Sequence, residues 1–340
     1  MEFDLHALNA ILGDPITNPF GAVIDPMESY RVNSLLPRPL FATAAPDLRG
    51  TGAGKDVFLW EEGEQKVLKK TLPSYKQTKG TCVSQGWARA AQDLILIGAA
   101  RGQWDLPDVY LVATEPIYGG SRMEVGRGRL GNGEGSLGGW AAKWVSEWGI
   151  LRRMKYEGGK YDLAAKIGGD GSIVSDDNLA QKWGTAREGV PADLEDDAKL
   201  YPIKSVAVCK SFDEACDALA NLYPVPVASN QGFAMQRGAD GFCRAQGSWA
   251  HQMVFRGCGI AKGNKPFLIC QNSWADYLKG NATVTLESGR EVQLPPGSFA
   301  VAADVANRML RQGDSHAASN FAGFPRQRPD FDILKRSTAA

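Results

Sequence analysis

Histidine is almost missing from this chain: His6, His251 and His316 are the only three in 340 residues, and they lie far apart. Any chemistry that needs an imidazole therefore has three candidates. Cysteine is scarce as well, six in all, too few for a disulfide framework. Cys82 stands alone in the first half, and Cys209, Cys216, Cys243, Cys258 and Cys270 follow much later. No cysteine pair has the close spacing with nearby histidine that a structural zinc needs, so a reduced chain with no metal and no cofactor is expected. Charge of one sign is not in excess, since 38 Lys and Arg balance 38 Asp and Glu. Nucleic acid is not an expected partner, because no bulk positive field exists to hold a polyanion. Long apolar runs are missing too: Leu94–Ala100 falls far short of the roughly 18 residues that span a bilayer, which excludes a transmembrane helix. Glu2 and Asp4 stand where a secretory signal would carry basic residues ahead of an apolar stretch, so the expected location is cytoplasmic.

What is present is the composition of a folded protein, 44% hydrophobic and 22% charged. Residues 1–55 carry six prolines, show no sustained periodicity and end in the glycine-rich run Gly50–Gly54, which reads as an extended N-terminal arm lying on a surface. In QGWARAAQDLILIG, residues 85–98, the apolar positions recur at three-or-four spacing, predicting a helix buried on one side with Cys82 at or just before its start. A glycine-rich loop, 126–139, leads into a second predicted helix, Trp140–Trp148, stopped by Gly149. The acidic run 193–199 reads as a solvated helix face. After residue 205 the pattern turns to strands at 206–208, 225–228, 251–255 and 266–270, with one helix at 212–222. The fold class expected is α+β, with a helical part at about 75–205, a strand-rich part at about 206–305, and a surface tail from 306 to 340 that includes His316.

Two glycine motifs fail as nucleotide sites. Gly126-Arg127-Gly128-Arg129-Leu130-Gly131 has no strand before it and no helix directly after it, and Gly50–Lys55 has Arg49 where a phosphate loop needs glycine and Asp56 where it needs Ser or Thr. Three other segments carry more. Lys76-Gln77-Thr78-Lys79-Gly80-Thr81-Cys82 puts a thiol at a helix start, where unpaired N–H groups favour a thiolate. Ser248–Phe255 puts His251 at the head of an apolar strand, and Phe267–Trp274 ends a strand in Asn272-Ser273-Trp274.

Cys, His and Asn in that order, the last as Asn-Ser-Trp after a strand, resemble the papain-like cysteine peptidases, in a form similar to bacterial or bacteriophage members. The resemblance covers about residues 70–280 and implies a two-lobed fold of a helical lobe and a β-barrel-like lobe, with a polypeptide substrate in the cleft between them. It implies Cys82 as nucleophile, His251 as its acid–base partner, Asn272 as the group that orients the imidazole, Trp274 as a shield for that contact, and Gln77 as an oxyanion donor. Gly133-Glu134-Gly135-Ser136 resembles the family's substrate-binding loop and places that role on Gly135 and Ser136, with Gly138-Gly139 as the alternative. Gly80–Gln85 is similar to the Gly-Ser-Cys-Thr-Ala-Gln form of bacterial members.

The sequence also departs from the family. Plant and lysosomal members have Cys-Gly-Ser-Cys-Trp, whereas Cys82-Val83-Ser84-Gln85-Gly86 has one cysteine; were Cys82 the first of the two, Gln85 would replace the nucleophile and the protein would be a pseudoenzyme. Lys79 then stands where the oxyanion glutamine belongs, which favours Cys82 as nucleophile, although Gln77 lies five residues before it where six are expected. The interval from Cys82 to His251 exceeds the family's usual ~130–150 residues, implying insertions. The rival reading is a structural or assembly protein that keeps the fold and uses its two arms for contacts in a homo-oligomer or particle. It draws on the lack of room for the family's long inhibitory segment and on a resemblance of Pro296–Pro325 to papain-like bacteriophage proteins, which would make the chain virion-associated.

Overall fold

The computed structural model describes residues 4–12, 16–185, 189–201 and 203–327; the last residues of the expected tail, 328–340, lie outside them. Helices and one large antiparallel sheet are combined. In chain order the strands of that sheet are β1 (Val57–Phe58), β2 (Ser205–Val208), β3 (Val225–Arg237), β4 (Cys243–Ala261), β5 (Lys265–Gln271), β6 (Ser298–Ala302) and β7 (Asp314–Ser319). They are ordered β6-β5-β4-β3-β7-β2, with β1 also paired to β4. The register sets Ser229 opposite His251, and Gln271 opposite Val254.

The predicted helix at 85–98 runs from Cys82 to Ala100 and is buried along nearly its whole length, not on one side. It packs on β4, as does the Phe212–Ala220 helix. Gly86 makes the closest approach: a Cβ there would stand 3.1 Å from the Met253 carbonyl oxygen. A residue with no side chain thus lets the helix start settle beside His251. Helix and sheet share a buried ionic cluster. Arg256 on β4 donates Nε to Asp93 Oδ2 (2.8 Å), Nη2 to Glu64 Oε1 (2.5 Å) and Nη1 to Gln271 Oε1 (2.8 Å), and Arg89 Nη1 reaches the same Glu64 oxygen at 3.3 Å.

Four further expectations change. The sheet is open, with β6 and β2 at its edges, so no closed barrel forms among the described residues. The physical reason is that the outer edge of β2 is already occupied: Val208 N–H donates to Pro39 O at 2.8 Å, and Leu40 bridges Val208. Residues 1–55 are not simply extended, since they contain helices Leu5–Leu12, Pro26–Asn33 and Phe41–Ala44. Asp25 caps the second through its carboxylate, which accepts from Glu28 N, with Pro26 at the first helical position. Leu8, Val32, Leu36, Phe41 and Leu48 enter the main core. Over residues 306–327 the chain is not a surface tail, because Ala306, Met309 and Leu310 are buried and β7 lies between β3 and β2. His316 on β7 is fully buried instead of exposed, its Nε2 2.8 Å from Asn33 Oδ1.

Candidate active site

Cys82 is the first residue of its helix; no side chain of Thr81 caps that end, so the thiol sits among free main-chain donors. Its Sγ accepts from Gln252 N at 3.4 Å, the residue next to His251. His251 faces Asn272 from the adjacent strand end, with Nε2 2.7 Å from Oδ1. The Asn272 amide has a fixed sense: Nδ2 donates to Tyr277 Oη (3.1 Å), while Oδ1 also accepts from Ser273 N (2.6 Å). Oδ1 can only accept, so the imidazole proton is assigned to Nε2, leaving a lone pair on Nδ1. Nδ1 has no hydrogen-bond partner among the described residues. The Trp274 indole covers the ring, centroids 4.8 Å apart. The helix start at Cys82, the strand carrying His251 and Gln252, and the strand end at Asn272 thus meet, from segments far apart in sequence.

Gln77 reaches the same place on a short segment in which its N–H donates to Ser273 O (3.0 Å) and its Oε1 accepts from Ser273 Oγ (2.6 Å). Its Nε2 donates to Pro19 O (3.2 Å) and Lys79 O (2.9 Å). Gly135 and Ser136 have different jobs. Gly135, at φ +102°, gives its carbonyl to Arg122 Nη1, whereas the main-chain N–H and carbonyl of the buried Ser136 both pair with residues 21–23. Gly138-Gly139 opens the Gly138–Glu147 helix, where Gly138 N donates to Asp314 Oδ2 at 2.8 Å.

These site residues are covered by the chain's own residues 17–23. Gly21 O accepts from Ser136 N (2.8 Å), Val23 N donates to Ser136 O (2.8 Å), and Ala22 N donates to Ala250 O (3.3 Å). Phe20 packs on Trp249, His251 and Trp274 at centroid distances of 5.7, 6.3 and 6.0 Å. Gly21 passes so close that a Cβ on it would lie 2.1 Å from Gly80 O. Cys82 and His251 are both completely covered. Burial pushes the Cys82 thiol up to about 12, against the lowering effect of the N–H groups of Gln252, Gly21 and Val83. Burial also lowers His251 to about 4, against the Asn272 hydrogen bond that raises it. Both groups are therefore neutral near pH 7, and no ion pair exists in the covered site. Sequence reasoning missed Phe20, Gly21, Ala22 and Trp249. Main-chain pairing leaves no side-chain signature, though the glycine between Phe20 and Ala22 was the available hint.

Among the described residues no group of three His, Cys, Asp or Glu side chains could hold a metal ion, and no helix is long and apolar enough to cross a membrane.

No family model matches the chain, and no curated protein matches it. Among solved structures it is similar to xylellain, a cysteine protease from Xylella fastidiosa, at 14% identity and TM-score 0.45, covering 89% of this chain and 96% of that one. It is also similar to the ragweed cysteine protease Amb a 11 in its proform (16% identity, TM-score 0.48, 89% and 75% covered). A third is procathepsin L 3 of the Tenebrio molitor larval midgut (13%, TM-score 0.39, 92% and 78%).

Proposed function

We propose that this protein is a papain-like thiol peptidase held latent by its own N-terminal segment. The observation that carries the reading is the 2.7 Å contact between His251 and Asn272, on a ring whose lone pair is left on Nδ1, beside a thiol at a helix start. Once residues 17–23 leave the cleft, water returns to the site and the desolvation that keeps both groups neutral falls away. The thiol proton passes to His251 Nδ1, and the thiolate attacks the peptide carbonyl carbon. The resulting oxyanion is met by the Cys82 N–H and the Gln77 amide. His251 then protonates the departing amine, an acyl-thioester remains on Cys82, and water activated by the same imidazole hydrolyses it to the acid and free thiol. Asn272 holds the ring without adding a charge that would compete for the proton, and Ser136 pairs with the substrate main chain in the place now taken by residues 21–23.

The test is to displace the covering segment in the full chain. Gly21→Val forces a side chain against Gly80 O, so the segment or the loop it faces must shift. The variant is expected to hydrolyse unfolded casein, and the same variant with Cys82→Ser to be inert. Equal hydrolysis by both would refute the assignment of Cys82.

A further inference from the structure

The short loop 78–81 joins the two residues that would meet the oxyanion, Gln77 and Cys82, and all six cysteines are free, so no covalent link braces it. A carboxylate does so instead. Asp177, the first residue of the Asp177–Thr185 helix, is 2% exposed. Its Oδ2 accepts from Thr78 N, from Thr78 Oγ1 at 3.1 Å and from Lys79 N at 3.3 Å. Its Oδ1 accepts from Thr81 Oγ1 at 2.8 Å and from Gln85 Nε2 at 3.4 Å. From the opposite side Glu134 Oε2 accepts from Gly80 N at 2.8 Å. Asp177 thus collects donors from both ends of the loop and from the first turn of the nucleophile's helix. A buried carboxylate accepting several N–H and O–H groups fixes them far better than a water could, since each is left unpaired if it moves.

We infer that Asp177 is a positioning residue that sets the spacing of the Gln77 amide and the Cys82 N–H, and so the geometry in which a tetrahedral oxyanion is held. The inference rests on the peptidase reading above. It assigns to a remote carboxylate a role in the chemical step and none in the thiol's own nucleophilicity. Oxyanion donors act only when a carbonyl is attacked. Alkylation of a thiol by a haloacetamide displaces halide at a saturated carbon, builds no oxyanion, and needs none of them.

That difference gives the experiment. In the full chain carrying Gly21→Val, Asp177→Asn keeps the side-chain shape but turns an amide NH2 toward donors. Peptide hydrolysis and Cys82 alkylation by iodoacetamide are measured side by side. The expected result is a fall in kcat of about 100-fold, the size seen when one oxyanion donor is lost, with KM and the alkylation rate changed by less than threefold. Adding Gln77→Ala should then cost little more, because the two changes remove one effect. Equal losses in hydrolysis and alkylation, no loss in either, or additive losses with Gln77→Ala would each overturn the inference while leaving the peptidase reading in place. A Gly21→Val chain that alkylates at Cys82 but hydrolyses nothing overturns the peptidase reading, and this inference with it.

Discussion

The indole N–H of Trp274 donates to the carbonyl oxygen of Pro19 at 3.1 Å, across 255 positions of sequence. The same oxygen takes the Gln77 amide. A main-chain carbonyl therefore already takes the Gln77 amide, which the proposed chemistry reserves for the oxyanion, together with the Trp274 indole N–H. Loss of the segment frees them together.

The state of Cys82 is the first consequence. In the native chain, alkylation by iodoacetamide is expected to be slow at pH 7 and to climb with pH without a plateau below 10, as a thiol pushed up to about 12 requires. In the Gly21→Val chain the midpoint should fall below the ordinary thiol value of about 8.5. Mass mapping of the alkylated peptide checks both.

The role proposed for Asn272 is orientation of the imidazole. In the Gly21→Val background, Asn272→Ala is expected to lower kcat by about 100-fold, the low end of what a positioned general acid supplies, with KM within about threefold. A rise in KM alone, measured by initial rates, would contradict the role.

His316 tests burial through pH. Burial lowers it to about 3 from an ordinary 6.5, so between those values the unfolded chain binds a proton that the folded chain does not. Stability from this residue is complete above the unfolded value and is lost as pH falls toward the folded one. The native chain should therefore lose stability relative to His316→Gln by up to about 1.4 kcal/mol per pH unit on acidification through that window. Urea titrations of the two chains at pH 7, 6, 5 and 4 give the difference directly. Buried carboxylates that shift the other way, such as Asp314, raised to about 6 by desolvation, cancel in the comparison.

The ionic cluster inside the sheet supplies a stability test independent of catalysis. Asp93→Ala leaves the fully buried Arg256 with one carboxylate, Glu64, which it shares with Arg89, and is expected to cost about 3–5 kcal/mol in denaturant unfolding. A loss below about 1 kcal/mol would mean that water or Glu64 compensates fully.

How much of this was legible in the sequence depends on the range of the signal. The Cys82–Ala100 helix and strands β3, β4 and β5 announce themselves within a few residues, because apolar periodicity is local. The Asp25-Pro26-x-Glu28 start of the second helix was equally local, yet it was hidden by the density of prolines around it. β7, Asp314–Ser319, was illegible for a different reason. Its small and polar residues carry no strand pattern, and only the slot between β3 and β2 makes it one.

The sequence by itself determined which chemistry was available: one isolated thiol before a helix, few imidazoles, an amide at a strand end, and no charge excess or apolar run for other roles. Tertiary structure alone decided that His251 meets Asn272, that His316 meets Asn33 in the core, that Asp177 grips the loop before Cys82, and that residues 17–23 cover the site. Each of these joins groups tens to hundreds of residues apart: side chain to side chain for His251–Asn272 and His316–Asn33, side chain to both kinds of donor for Asp177, and mainly main chain to main chain for residues 17–23. Such bonds depend on where the backbone is carried as well as on which side chain stands at a position, so no local pattern encodes them.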